Sequence, residues 1–269
     1  MHHPVLNKAE FFGGLRSLSS LSGGALVLVI ASRQSLTALN AETQQYNRTG
    51  SPFFNIFDEI TLGAFSKAAT DEILNLAGDR FTPDDRDYIN HLAGGHPYLL
   101  QTTASALWEA YEDGEEDAQK RYRITGEVLF DQAALTISDT WRLWSPEMKK
   151  AFATIALDEI PALLGKREFD VDSLVVSLSG YQPELRDLKK RGFIIEDVNL
   201  LGGWRVRPRI FTAWLTDELM HALRDKDELG KWLFEQEWGE FLKQSEKQQL
   251  VGMAQGISRF LKNGVTSFI

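Results

Sequence analysis

The segment Gly94-Gly95-His96-Pro97-Tyr98-Leu99-Leu100-Gln101 carries the residue types best suited to binding chemistry in this 269-residue chain. Two adjacent glycines permit close approach of the backbone to a ligand, and the proline favours the first turn of a helix. A tight turn between two helices would use the same residues. The residues alone leave both interpretations open.

A second candidate position is Arg33, which follows a short apolar run at residues 25–31. The run is rich in Val, Leu and Ile and apolar on both faces, which is typical of a buried parallel strand. Ligands of open α/β sheets bind at the carboxyl ends of such strands. Arg33 is therefore placed where a bound ligand is expected.

Several common kinds of site are missing from the sequence. It has no cysteine, which excludes disulfides, thiol catalysis and Cys-ligated metals. His91 and His96 are separated by two glycines and do not form a metal-binding pair on one helix face. Neither a Gly-x-Ser-x-Gly nucleophile motif nor a Gly-x-x-x-x-Gly-Lys-Ser/Thr phosphate loop occurs. We expect no metal site and no catalytic residue within this chain.

The elements that position these residues are mostly helices. Residues 57–62 are expected to form a second short strand, followed by a helix near 67–77. Thr82 and Pro83 predict the start of a helix that ends at the two glycines, and Pro97 begins the next. The acidic run at 112–117 is the best candidate for a linker.

The second half of the chain has the element order of a winged helix-turn-helix. Helical segments are followed by a predicted β-hairpin, Phe193-Ile194-Ile195 and Trp204-Arg205-Val206, around a glycine-containing turn. The helix before the hairpin ends at Gly192. That helix and the second strand carry candidate DNA contacts at Arg186, Lys189, Lys190 and Arg205.

Three segments together resemble the later half of a bacterial STAND-type, AAA-like P-loop NTPase, a class of nucleotide-controlled signal-transduction switch. They are Phe12-x-x-Leu15-Arg16-Ser17-Leu18, residues 26–33 and the segment from Gly94 to Gln101. The resemblance implies that Arg33 ends the sensor-1 strand and contacts the terminal phosphate. It also implies that Gly95, His96 and Pro97 lie in a helical lid beside the adenine and ribose, with a winged helix after the lid.

The chain departs from that family in two places. The first departure concerns the phosphate loop and the acidic magnesium-binding strand of the family, which are expected upstream of residue 9. ATP or ADP is then expected to bind only together with that half, and the chain alone is not expected to hydrolyse ATP, since magnesium and the phosphate-loop Lys supply most of the charge stabilisation. Where some relatives have a His sensor, this chain has Val206-Arg207-Pro208-Arg209, so Arg207 and Arg209 are the candidate phosphate sensors.

These observations predict a mainly α fold with a small α/β part. We expect a partial NTPase sheet of two strands in residues 1–64, a helical lid at 65–111, a linker at 112–124, a winged helix at 125–225 and a helical tail at 226–269. The predicted function is the regulatory lid and winged-helix part of an ATP-dependent switch. A winged-helix DNA-binding protein and a protein-interaction scaffold remain alternatives.

Charge and hydropathy set the expected surroundings. The net charge is −9, which argues against general binding to polyanions, so nucleic acid is the less favoured partner. We expect protein partners or self-association, because two strands alone leave open sheet edges. No apolar run approaches the length of about 20 residues that spans a bilayer, and no signal peptide is evident. The predicted location is the cytoplasm, away from membranes.

Overall fold

The computed structural model describes residues 9–44, 53–163, 172–222 and 235–236. The chain divides into two compact units, Met1–Thr61 and Leu62–Ile269. The described ranges contain ten α-helices, two 3₁₀ turns and one two-stranded antiparallel sheet. The prediction of a mainly α fold is confirmed.

The first unit is held together by phenylalanine side chains. It contains α1 (Ala9–Leu21), α2 (Leu36–Gln44) and a 3₁₀ turn (Phe53–Ile56). Its buried side chains are Phe12, Leu39, Phe53 and Phe54. The Phe54 N–H donates to the Asn40 side-chain oxygen at 2.9 Å, which ties the 3₁₀ turn to α2.

The second unit contains the other eight described helices and the sheet. The helices are α3 (Lys67–Asn75), α4 (Pro83–Ala93), α5 (Pro97–Glu112), α6 (Ala118–Arg142), α7 (Pro146–Leu163), α8 (Asp172–Ser177), α9 (Gln182–Arg191) and α10 (Arg209–Ala222), with a 3₁₀ turn at Leu178–Gly180. The strands are β1 (Ile194–Glu196) and β2 (Trp204–Val206), paired with Ile194 opposite Val206.

Local sequence explains where α4 and α5 begin and end. The Thr82 hydroxyl accepts the Asp85 N–H, and the Asp85 carboxylate accepts the Thr82 N–H at 2.8 Å, so a capping box starts α4. Gly94 ends α4 in the left-handed conformation at φ 57°, and Pro97 starts α5. These predicted boundaries are confirmed.

One continuous apolar core runs through the second unit. Helix α6 packs on α5, α10 packs on α4 and α6, and α7 packs on α9 and β2. Aromatic side chains fill the centre, where Trp144 and Phe211 stack with ring centroids 6.0 Å apart and Trp144 meets Phe193 edge to face. The three helices α4, α5 and α6 therefore share one core with the hairpin.

The predicted hairpin is confirmed. Gly192 ends α9 at φ 81°, and β1 follows immediately. The described helices and strands follow one another in the order expected of a winged helix. The winged helix itself stays a prediction. Helix α6 begins at Ala118, within the predicted linker, where the Asp117 side chain accepts the Lys120 N–H.

The two predicted strands of a nucleotide-binding sheet do not form. Residues 25–31 and 57–62 pair with no other segment of the described ranges. Val27 and Val29 are 77% and 88% exposed. A strand exists only when a neighbouring backbone accepts its hydrogen bonds, and apolar composition alone does not supply that neighbour.

Two remaining expectations concern the tail and the membrane. Apart from residues 235–236, the predicted tail at 226–269 lies outside the described residues. None of the helices described here combines the length and the apolar character needed to cross a bilayer.

Candidate functional site

Three segments of the second unit meet at the turn between α4 and α5. They are the Gly94–Gly95 turn itself, residues 62–66, which we call the strap, and Arg207 after β2. The Phe65 N–H donates to the Gly95 carbonyl at 2.8 Å. The Arg207 guanidinium donates through Nη2 to the Phe65 carbonyl at 3.0 Å. The backbone of one strap residue, Phe65, therefore joins the turn to the hairpin.

Backbone atoms of other segments lie so close to the turn that residues 94 and 95 have no room for a side chain. A Cβ atom at Gly94 would lie 2.6 Å from the Arg207 carbonyl group, and one at Gly95 would lie 2.9 Å from the Phe65 oxygen. Both residues also have positive φ, at 57° and 76°. Any side chain here would be strained and would displace backbone.

The opposite side of the strap is packed against the end of α9. A Cβ atom at Gly63 would lie 2.5 Å from the Lys190 carbonyl oxygen, and one at Gly192 would lie 2.5 Å from the Ala64 Cβ. The strap thus runs between the Gly94–Gly95 turn and the α9–β1 turn. Sequence reasoning identified Gly192 only as a helix stop, since nothing local to it indicates a neighbour far away in the chain.

His96 caps the start of α5 and is largely withdrawn from solvent. Its side chain makes no capping hydrogen bond, and its Nδ1 atom is buried with no hydrogen-bond partner in the described part of the chain. Its ring lies 6.3 Å from the Phe193 ring. Burial lowers the pKa of His96, so the neutral imidazole is favoured at pH 7. It can offer one further hydrogen bond to a ligand.

Arg207 is a half-buried cation whose acceptor is a carbonyl. Its main chain is fixed to the start of the hairpin, where its N–H donates to the Phe193 carbonyl at 3.0 Å. Burial lowers the pKa of the guanidinium, and among the described residues no carboxylate pairs with it. A partly desolvated cation with only a neutral acceptor favours an incoming anion.

Arg209 is placed differently from Arg207. Its Nη1 lies 2.9 Å from Oε2 of Glu159, and both side chains are buried. Arg205 approaches the other carboxylate oxygen of Glu159 at 3.7 Å. Burial raises the pKa of Glu159 to about 7 despite these two cations. Sequence reasoning missed Glu159, because its partner stands 50 residues away.

The sequence-predicted nucleotide contacts therefore fall in two places. Gly95, His96 and Pro97 share the α4–α5 turn, and the Arg207 guanidinium reaches the same turn through Phe65. Arg33 belongs to the first unit, where it is exposed in the bend before α2.

The candidate DNA contacts are partly engaged with acids. Lys189 pairs with Glu196 at 2.6 Å, and Arg205 pairs with Asp197. Arg186 and Lys190 are exposed, and no ion pair within the described ranges includes either of them. Two of the four candidate DNA contacts, Lys189 and Arg205, therefore form ion pairs with carboxylates of the protein itself.

No family model, curated protein or solved structure matches this chain. Among the side chains that the structure describes, no group of three His, Asp or Glu residues is arranged to hold a metal ion.

Proposed function

We propose that this chain is the regulatory part of an ATP-dependent, STAND-like signalling switch, with a helical lid and a winged helix, and that it does not hydrolyse ATP alone. The proposal depends on the contact between the Gly94–Gly95 turn and Arg207. A group bound at the turn would be sensed directly by a residue fixed to the hairpin. The motif resemblance supplies the identity of that group as a nucleotide.

The residues present fit the base and ribose end of a nucleotide. Gly95 has no side chain between its backbone and a ligand, and the buried Nδ1 of His96 lacks a partner among the described residues. Arg207 offers a cation for an anionic group. When bound, a nucleotide would supply a base to this turn and phosphates to Arg207.

Photoaffinity labelling tests this proposal. The protein is isolated from its native cells, irradiated with an azidoadenine analogue of ATP, digested and mapped by mass spectrometry. Labelling is expected in the peptide that contains Gly94 to Gln101, and excess ATP or ADP should abolish it. His96→Ala should reduce the labelling, whereas His91→Ala, an exposed residue on α4, should not. Absence of competable labelling in this peptide would overturn the proposal.

A protein-interaction role is the second candidate, and the exposed apolar run of the first unit favours it. Val27 and Val29 are almost fully exposed in a segment without a charge or a proline. Such segments pair readily with another strand. Light scattering of the purified chain tests this role, since association should weaken when a charge is placed in the run. A monomer at all concentrations would contradict it.

A further inference from the structure

Two polar groups of the candidate site, the Gly95 carbonyl and the Arg207 guanidinium, are already engaged by one residue of the strap. The Gly95 carbonyl accepts the Phe65 N–H, and Arg207 donates to the Phe65 carbonyl. The backbone of this one residue thus supplies both the donor and the acceptor. A nucleotide bound as proposed would need the same two groups, the Gly95 carbonyl for the amino group of its base and the Arg207 guanidinium for its phosphates.

The strap also fills the space directly beside the Gly95 backbone. The position of a Cβ atom there lies 2.9 Å from the Phe65 oxygen and 3.1 Å from the Arg207 guanidinium. The face of Gly95 on which a side chain would stand is therefore filled by Phe65 and Arg207. Strap and ligand therefore exclude each other at this turn.

We propose that the strap is an internal competitor that occupies the nucleotide position at the Gly94–Gly95 turn, so that the lid binds nucleotide only after the strap leaves. This inference rests on the proposed function. Residues 62–66 begin the second unit directly after the first one ends at Thr61. A displacement of the first unit therefore acts on the strap through the chain itself.

Glycine substitutions behind the strap provide a way to displace it without altering the site. Gly192→Ala forces a Cβ atom against Ala64 at 2.5 Å, and the three atoms nearest to that Cβ all belong to Ala64 in the strap. Gly114→Ala is the matched control, because Gly114 has nearly the same φ, 76° against 81°, but open space around it. Both variants have the same backbone strain, and only Gly192→Ala displaces the strap.

Hydrogen exchange measures whether the strap moves. The Phe65 amide is expected to exchange about tenfold faster in Gly192→Ala than in wild type, because it loses its bond to Gly95. Gly114→Ala should leave this rate unchanged. If Gly192→Ala does not fold, Gly63→Ala displaces the strap from Lys190, and Gly180→Ala, which has open space, is its control.

Photolabelling of the same proteins measures whether nucleotide gains access. Competable labelling of the Gly94–Gln101 peptide is expected to rise several-fold in Gly192→Ala and to stay at the wild-type level in Gly114→Ala. Faster Phe65 exchange with unchanged labelling would overturn the competition and leave the proposed function standing. Unchanged Phe65 exchange in both strap variants would also overturn it. No competable labelling in any protein, including the native one, would overturn the proposed function itself.

Discussion

Replacing Arg209 with Met should destabilise the second unit in a strongly pH-dependent way. The side chain of Glu159 is only 1% exposed, and Arg209 supplies its 2.9 Å ionic contact. Arg205 stays on the other side at 3.7 Å, but its side chain is 41% exposed and also pairs with Asp197. Removing one partner of a buried ion pair costs about 3–5 kcal/mol, because a charge is left without compensation.

The pKa of Glu159 determines the direction of the pH effect. Burial raises this pKa from 4.5 to about 7 in the folded chain, which corresponds to a cost of about 3 kcal/mol for the charged form. The stabilising contribution of the neutral acid is complete below about pH 4.5 and is lost as pH rises through 7. Loss of Arg209 raises the pKa further. Arg209→Met should therefore cost about 3 kcal/mol near pH 8 and below about 1 kcal/mol near pH 5.

Urea unfolding followed by tryptophan fluorescence at the two pH values measures this difference. Lys189→Met is the control, since its pair with Glu196 has side chains 51% and 64% exposed and should contribute little at either pH. Adding Glu159→Gln to Arg209→Met should restore most of the stability near pH 8, because the uncompensated charge is gone. Equal losses at both pH values would refute the reasoning that Glu159 is the group left unpaired.

Three further predictions concern association, DNA and capping. Val29→Lys should shift the chain toward monomer in light scattering, because it places a charge in the apolar run. Val198→Lys is the control and should cause no shift, since Val198 is 94% exposed but lies outside that run. Random duplex DNA should show no salt-sensitive mobility shift with this acidic chain, and a shift lost in Arg186→Glu would instead favour the DNA-binding alternative. Thr82→Ala should lower the free energy of unfolding by about 1 kcal/mol in urea titrations, because the Thr82 hydroxyl that accepts the Asp85 N–H is removed; no change would contradict that geometry.

The features that could be predicted from the sequence are those that depend on neighbours along the chain. Thr82 and Pro83 indicate the start of α4, and Gly94 its end, because a cap is completed within four residues. The hairpin before α10 is marked by two short runs of aromatic and β-branched residues and the glycines between them. Each of these signals is local, and each is confirmed.

The features that could not be predicted depend on distant neighbours. Residues 25–31 have a composition typical of a buried strand, but the composition does not provide a partner backbone. The packing of the strap could not be predicted either. The sequence does not show which distant residues lie against Gly63 and Gly192. Only the three-dimensional arrangement shows that their missing side chains make room for the strap.

Three arginines stand at alternate positions from β2 to the start of α10, and the fold gives each a different role. Arg205 pairs with Asp197, which directly follows β1, and Arg209 is buried against Glu159. Arg207, between them, has a carbonyl rather than a carboxylate as its acceptor. A guanidinium neutralised by a buried carboxylate has little to gain from a phosphate, whereas one bonded only to a peptide carbonyl gains a charge partner. Of the two candidate phosphate sensors, Arg207 is therefore the one whose contacts allow it to exchange the strap for a ligand.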